Sequence, residues 1–294
     1  MTKVGVHLPA FGVDPSAGTA EHARHAEDVG LESVWVGDHL IPKGRPYVDS
    51  TLTLATAAAA TERIRLGFGV MIVALRPVAW AAKQIASLQH LSGGRVLLGV
   101  GSGGAVHGDA AWRAVGVPYR ERGARTDAAL DVLPALIAGE PVKVAGEEVA
   151  LSPGATVPPL LIGGGAGTLR RVARYGDEWY AAFSGPAEIA AAMGRLGGLA
   201  EEYGRPVPRL TVGVSVGLGD VPAARIDAQV RGLTEYGMDE AGARASLIVG
   251  EPAAAAERFA ELAEAGAHRI IAMPFPADRL RQTELVAGVA ALLR

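Results

Sequence analysis

Asp38 and His39 stand side by side where the apolar run Ser33-Val34-Trp35-Val36-Gly37 stops. Histidine titrates near neutral pH, so at a strand end it can move a proton or hold a polar group of a substrate. A neighbouring aspartate can orient a donor-rich ring or a sugar. The same two residues could instead cap the next loop through hydrogen bonds. Their place in the fold separates the two readings, because ligands of parallel α/β folds bind at the carboxyl ends of the strands.

Glycine gathers at three other strand ends. Leu66-Gly67-Phe68-Gly69-Val70-Met71 carries two glycines inside a buried run. That marks a bulge, a close backbone approach to a ligand, or packing against a bulky neighbour. Leu98-Gly99-Val100-Gly101-Ser102-Gly103-Gly104 frees N–H groups to face a ligand, with a flexible turn as the plainer account. Leu160-Leu161-Ile162 runs into Gly163-Gly164-Gly165-Ala166-Gly167-Thr168, followed by a helix with Arg170 and Arg171. A glycine-rich turn opening a helix suits an anion such as phosphate. It is not a Walker loop, since no Gly-Lys-Ser/Thr follows. One Asp-His end and three glycine-rich ends on one rim fit a large, flat, phosphorylated ligand of flavin type better than a small substrate.

The other histidines carry less. His7, near the end of the first strand, faces the substrate at the mouth or is a satisfied structural residue. His22 and His25 are expected at the surface of the first helix. His90 precedes a turn, and His268 starts the last strand, on the stability face of a barrel. No His and carboxylate set has metal-ligand spacing, so no metal is expected. Gly101-Ser102-Gly103 lacks the elbow of an acyl-transfer serine.

The elements that must position these residues alternate strictly. Short apolar or β-branched runs at 3–8, 33–36, 64–70, 95–101, 159–162, 178–182, 209–215 and 268–272 predict strands. Helical patterns near 19–29, 50–61, 77–91, 123–138, 167–175, 186–203, 222–236, 252–265 and 278–293 follow them. Gly30 and Gly266 stop helices, and Pro186 and Pro252 suit first turns. Eight β-α units in 294 residues imply a (β/α)8 TIM barrel with short insertions, one domain over 1–294. An open doubly wound sheet is the alternative, but no Gly-x-Gly-x-x-Gly follows the first strand. The connections 102–122 and 139–158 are long, and the second reads as a small hairpin around Ala145-Gly146.

Composition narrows the function. Apolar residues make up 49% of the chain, enough for a large core. The net charge of −3 argues against nucleic-acid binding. The absence of cysteine excludes disulfides, thiolate metal sites and cysteine nucleophiles. No apolar run qualifies as a membrane span, and the amino-terminal stretch has no signal-peptide core. The expected setting is cytoplasmic.

At this point a family resemblance emerges. Gly30-Leu31-Glu32-Ser33-Val34-Trp35-Val36-Gly37-Asp38-His39, Ala82-Lys83-Gln84 through Leu91-Ser92-Gly93-Gly94-Arg95, and Leu98-Gly99-Val100-Gly101 carry it. So do Gly116-Val117-Pro118-Tyr119 with Arg122-Gly123, and Ile162-Gly163-Gly164-Gly165 through Tyr175-Gly176-Asp177. These blocks, in this order, resemble the bacterial-luciferase-like superfamily, and most closely its F420 (deazaflavin)-dependent oxidoreductase branch.

The resemblance implies an α/β barrel with coenzyme F420, or alternatively FMN, at the strands' carboxyl ends. It implies Asp38 against the ring and His39 as the catalytic residue over the redox centre. Gly69-Val70 matches the family's non-prolyl cis peptide behind the ring. Ser102 and His107 reach the cofactor, and Gly163, Gly164, Gly165, Gly167 and Thr168 hold its tail and phosphate. The implied reaction is hydride transfer between deazaflavin C5 and an imine, enone or conjugated alkene, by a homodimer. An FMNH2-dependent monooxygenase and a non-catalytic flavin-binding protein are the alternatives. Sugar-phosphate dehydrogenases of the branch carry Glu where Gly104 stands and Lys where Gly185 stands. Both are missing, which argues against glucose 6-phosphate.

Overall fold

The computed structural model describes residues 2–42, 46–104 and 108–293. In chain order its strands are β1 Lys3–His7, β2 Ser33–Val36, β3 Arg65–Met71, β4 Val96–Val100, β5 Val142–Val144 and β6 Glu147–Val149. They continue as β7 Leu160–Gly163, β8 Glu178–Ala182, β9 Arg209–Leu218, β10 Leu247–Gly250 and β11 Ala267–Pro274. Parallel pairing runs β1-β2-β3-β4-β7-β8-β9-β11, and β11 pairs back to β1, closing an eight-stranded (β/α)8 barrel. The β5–β6 hairpin is antiparallel and turns through Ala145 and Gly146, both at positive φ.

The helices are α1 Thr19–Asp28, α2 Ser50–Ala60, α3 Val78–Ser92, α4 Ala110–Ala114, α5 Arg122–Ala138 and α6 Leu169–Tyr175. After these come α7 Pro186–Glu202, α8 Ala223–Glu235, α9 Glu240–Ala245, α10 Pro252–Glu264 and α11 Arg279–Leu292. Around the barrel α1 packs on α2, α2 on α3, α3 on α5, α6 on α7, α10 on α11, and α11 back on α1. The main core lies between these helices and the outer faces of the strands. Every residue of β2 and β4 is buried, which is why these strands read as unbroken apolar runs.

Three elements differ from the sequence expectation: strand β10 and helices α4 and α9 fall in stretches that the sequence pattern leaves as connections. The four residues of β10 are too few to show a period, and Ala-rich surroundings blur them. The structure explains the strand through β9, which outruns its neighbour. Arg209–Gly213 pairs with β8, and Ser215–Leu218 pairs with β10 on the same side.

The barrel interior is filled in its middle and held together by charge at its amino-terminal end. Trp35 lies between glycines of both neighbouring strands: a Cβ on Gly67 would overlap the indole, and one on Gly5 would crowd its Nε1. Leu97, Leu161, Tyr180 and Ile271 complete this inner cluster. Below it Arg269 Nη1 and Thr211 Oγ1 both donate to Glu178 Oε2 at 2.6 Å, and Arg269 also grips Glu32 with two bonds of 3.1 Å. His268 Nε2 lies 3.3 Å from Glu178 Oε1. Burial alone would raise the Glu178 pKa, but His268, Arg269 and Thr211 outweigh it and hold it down to about 2.

Candidate functional site

The mouth of the barrel is lined by small residues. On β2, Trp35 faces inward, so Gly37 does too. A Cβ on Gly37 would lie 3.5 Å from His39 Nε2 and 3.8 Å from Tyr47 Cε1. The His39 imidazole therefore sits on the inner side of the rim. Tyr47 meets it edge-on, with ring centroids 4.8 Å apart.

Asp38 turns the other way. Its Oδ1 accepts from Ser50 Oγ at 3.0 Å and Arg76 Nη2 at 3.0 Å. Its Oδ2 accepts from the Ile72 N–H at 2.8 Å and Arg76 Nη1 at 2.6 Å. An ionised carboxylate offers about four acceptor positions, and all are taken by the protein. Burial works to raise the Asp38 pKa, but Arg76, the Ile72 N–H and Ser50 bring it below the usual carboxylate value. The expectation that Asp38 lies against the ring thus meets a carboxylate already committed to fastening the β2 and β3 loops together.

The wall beside His39 is the end of β3. The Gly69–Val70 peptide is cis. The Val70 side chain points inward, onto the inner cluster. A Cβ on Gly163 would come within 2.6 Å of Val70 Cγ1, and one on Gly101 would also collide with this isopropyl group. These two glycines, expected to serve a ligand, have a packing reason in Val70. Gly103 likewise backs onto Trp112, whose ring a Cβ would approach to 2.9 Å. Ser102 lies half-buried beyond them.

The loop after β7 is pinned at its start and open at its tip. Trp179 Nε1 donates to the Gly164 carbonyl at 2.7 Å, and the Thr168 hydroxyl donates to the Gly165 carbonyl at 2.8 Å. Nothing would meet a Cβ on Gly165 or Gly167 within 4 Å, so this backbone faces open space. The expected helix N-terminus is modest: a 3-10 turn over Ala166–Thr168 leads into seven-residue α6. Arg170 pairs with Glu202 and Arg171 with Asp127, so neither arginine is turned to the loop.

His7 also reaches the rim, at the end of β1 and two residues after inward-facing Gly5. Its Nδ1 is 3.0 Å from the Leu8 carbonyl, which can only accept, so Nδ1 carries the proton and Nε2 is an acceptor. Burial lowers its pKa to about 4, with Arg279 adding to the shift against the Leu8 bond. His22 departs from the surface position expected of it. It is buried, 3.7 Å from Asp14, because α1 turns this face inward. His107 lies outside the described residues. Among the described residues no group of three or more His, Asp or Glu is placed to hold a metal ion, and no helix is long and apolar enough to cross a membrane.

Three residues at this site were not singled out from the sequence. Arg76 precedes Pro77, a signal only of a turn. Tyr47 sits in a loop with no periodicity. Tyr180 reads as one more apolar residue of a buried strand.

A closed parallel barrel with polar side chains at its carboxyl rim is the architecture of barrel enzymes. The sequence profile of the luciferase-like monooxygenase family matches residues 2–225, and the chain belongs to that family. An uncharacterised protein of Mycobacterium tuberculosis is 34% identical over 179 residues, 58% of this chain and 61% of its own. The F420-dependent glucose-6-phosphate dehydrogenase of Amycolatopsis mediterranei is 32% identical over 188 residues, 60% of this chain and 56% of its own. These matches span about three fifths of the relatives' length. Among solved structures, an F420-dependent secondary alcohol dehydrogenase in complex with an F420-acetone adduct superposes with a TM-score of 0.83. It is 19% identical and covers 100% of this chain and 99% of its own, a likeness of fold.

Proposed function

We propose that this protein is an F420-dependent oxidoreductase acting on a small organic substrate, an imine, enone or conjugated alkene. The observation that carries the reading is the glycine-lined mouth. Its strand ends carry the His39 imidazole over Gly37, the Gly69–Val70 wall, and the backbone of Gly165 and Gly167 with open space before it. A flat tricyclic ring with a phosphorylated tail fits that donor set: a wall with little side chain, polar groups at the rim, and free backbone beyond it. When bound, the deazaflavin supplies hydride at its C5.

The chain's own residues do the rest. Gly69 and Val70 back the ring, Ser102 meets its edge, and the loop from Gly163 to Thr168 takes the tail. Asp38 acts one step removed, by holding the loop on which His39 sits. His39 gives a proton or a hydrogen bond to the substrate atom that gains charge, and takes it back in the reverse direction. His7 offers a neutral acceptor for a substrate hydroxyl or N–H. Where the resemblance places the Glu and Lys of sugar-phosphate dehydrogenases, this chain has Gly104 and Gly185, which argues against a sugar phosphate. The F420-dependent relatives support this reading. The protein is taken to work in the cytoplasm as a homodimer. Leu52 and Trp80, exposed on adjoining α2 and α3, are available for that contact.

Fluorescence titration with F420 and with FMN tests the cofactor. Tighter binding of F420 is expected. Preference for FMN would instead favour an FMNH2-dependent monooxygenase, the reading that the family's description supports.

A further inference from the structure

Tyr180 is a polar residue of the barrel interior that the proposed function leaves unused. It sits on the inner face of β8, with its ring stacked on Trp35 at 5.9 Å between centroids and 29° between planes. The side chain reaches across the barrel. A Cβ on Gly69 of β3 would lie 3.5 Å from Tyr180 Oη, and one on Gly213 of β9 would lie 2.9 Å from it. β3 and β9 stand on opposite sides of the eight-stranded ring. Oη is therefore near the barrel axis, at the foot of the Gly69–Val70 wall.

The residue is 5% exposed, among Trp35, Leu97, Leu161 and Ile271. No hydrogen bond within the described residues uses Oη, yet the atom is not one of the fully enclosed polar atoms that lack a partner. Oη therefore keeps some exposure, and the residue beside it, Gly69, begins the Gly69–Val70 wall. Its neighbours are satisfied: Trp35 Nε1 donates to Ser33 Oγ at 2.8 Å, and Thr211 Oγ1 donates to Glu178. A buried hydroxyl without a partner costs stability, and packing alone would be served as well by phenylalanine. Gly213 keeps the space that the hydroxyl occupies. Burial raises the pKa of this phenol, so the group is a neutral donor and its partner must be an acceptor.

We propose that Tyr180 Oη donates a hydrogen bond to a carbonyl oxygen on the rim of a flat heteroaromatic ring seated against the Gly69–Val70 wall. The bond sets how deeply that ring enters the barrel. This inference rests on the cofactor reading above and adds to it a ring contact at the barrel floor, remote from the loop that takes the tail.

The test compares wild type with Tyr180→Phe, using F420 and 5-deazariboflavin, which has the ring dione without the phosphate tail. The variant should keep the wild-type melting temperature and lose roughly three- to tenfold in affinity for both compounds. The carbonyl stretching band of the bound ring should move to higher frequency in the variant. Gly213→Ala places a methyl 2.9 Å from the hydroxyl, crowding it out of position, and should give the same loss with the tyrosine intact. A loss seen with F420 alone would assign the hydroxyl to the tail and overturn the proposal. So would unchanged cofactor affinity with reduced kcat/KM, which would assign it to the substrate. If wild type binds neither F420 nor FMN, the cofactor reading fails and this inference fails with it. If wild type binds and Tyr180→Phe binds equally well, only this inference fails.

Discussion

Arg76 holds Asp38 through both terminal nitrogens, at 2.6 and 3.0 Å, with the carboxylate side chain 5% exposed. This pairing changes what an Asp-His sequence at a strand end means. Adjacent residues on an extended chain point to opposite sides. One member of the pair locks two loops, and its neighbour faces the mouth.

Asp38→Asn is expected to cost stability first. Removing one charge from a buried bidentate pair costs about 3 kcal/mol, a fall in melting temperature of roughly 5–10 °C. Turnover should fall as well, because His39 sits on the loosened loop. Cofactor binding weakened tenfold at an unchanged melting temperature would put the carboxylate on the ligand instead.

His39→Ala should retain cofactor affinity within about twofold and lose turnover by roughly 10²–10⁴, the usual share of a positioned acid or base. Equilibrium titration and steady-state kinetics on the same preparation check this. Unchanged turnover would remove His39 from the chemistry.

His7→Gln tests a different role. The folded-state pKa of about 4 lies below the ordinary 6.5. The neutral ring's contribution to stability is therefore complete above about pH 6.5 and lost as the pH falls through about 4. The pH dependence of turnover between about pH 5 and 8 should be the same in the variant, whereas KM for the substrate should rise. Loss of an ionisation in that window would show that His7 titrates during catalysis.

Gly163→Ala puts a methyl 2.6 Å from Val70 Cγ1. Overpacking of this kind costs about 1–3 kcal/mol. Combining it with Val70→Ala should recover part of that loss, seen as a favourable coupling in a double-mutant cycle of denaturant unfolding. Strict additivity would mean that the two side chains do not meet.

Glu178 should govern part of the acid stability. Its pKa of about 2 lies below the ordinary 4.5. Its contribution is complete above about pH 4.5 and disappears as the pH falls through about 2. Glu178→Gln is expected to lose about 3 kcal/mol at pH 7, since Arg269 stays buried with Glu32 as its remaining carboxylate partner. It should also flatten the fall in melting temperature below about pH 4.5. An unaltered acid limb would place that titration on other carboxylates.

Much of the rim was legible because strand ends are marked locally. Gly37-Asp38-His39 and Gly163-Gly164-Gly165 close apolar runs, and their types announce polar or backbone-open loops. The reason for each glycine was not legible. Gly67 admits Trp35 from the next strand, and Gly163 and Gly101 admit Val70. No local pattern distinguishes a glycine that makes room for a side chain from one that makes room for a ligand. His22 was misplaced for a related reason: a polar residue on a helix reads as exposed, and only the packing of α1 buries it beside Asp14.

The sequence by itself determined the barrel, its strand ends and the presence of His39 on the rim, because alternating β-α periods and chain punctuation are local properties. Tertiary structure alone decided partners. Arg76 is 38 residues from Asp38, Arg269 is 91 from Glu178, and Tyr180 Oη meets the space before glycines on two other strands. Barrel closure brings such residues together. Which carboxylate is filled, and which hydroxyl is left open, follows from three-dimensional packing rather than from spacing along the chain.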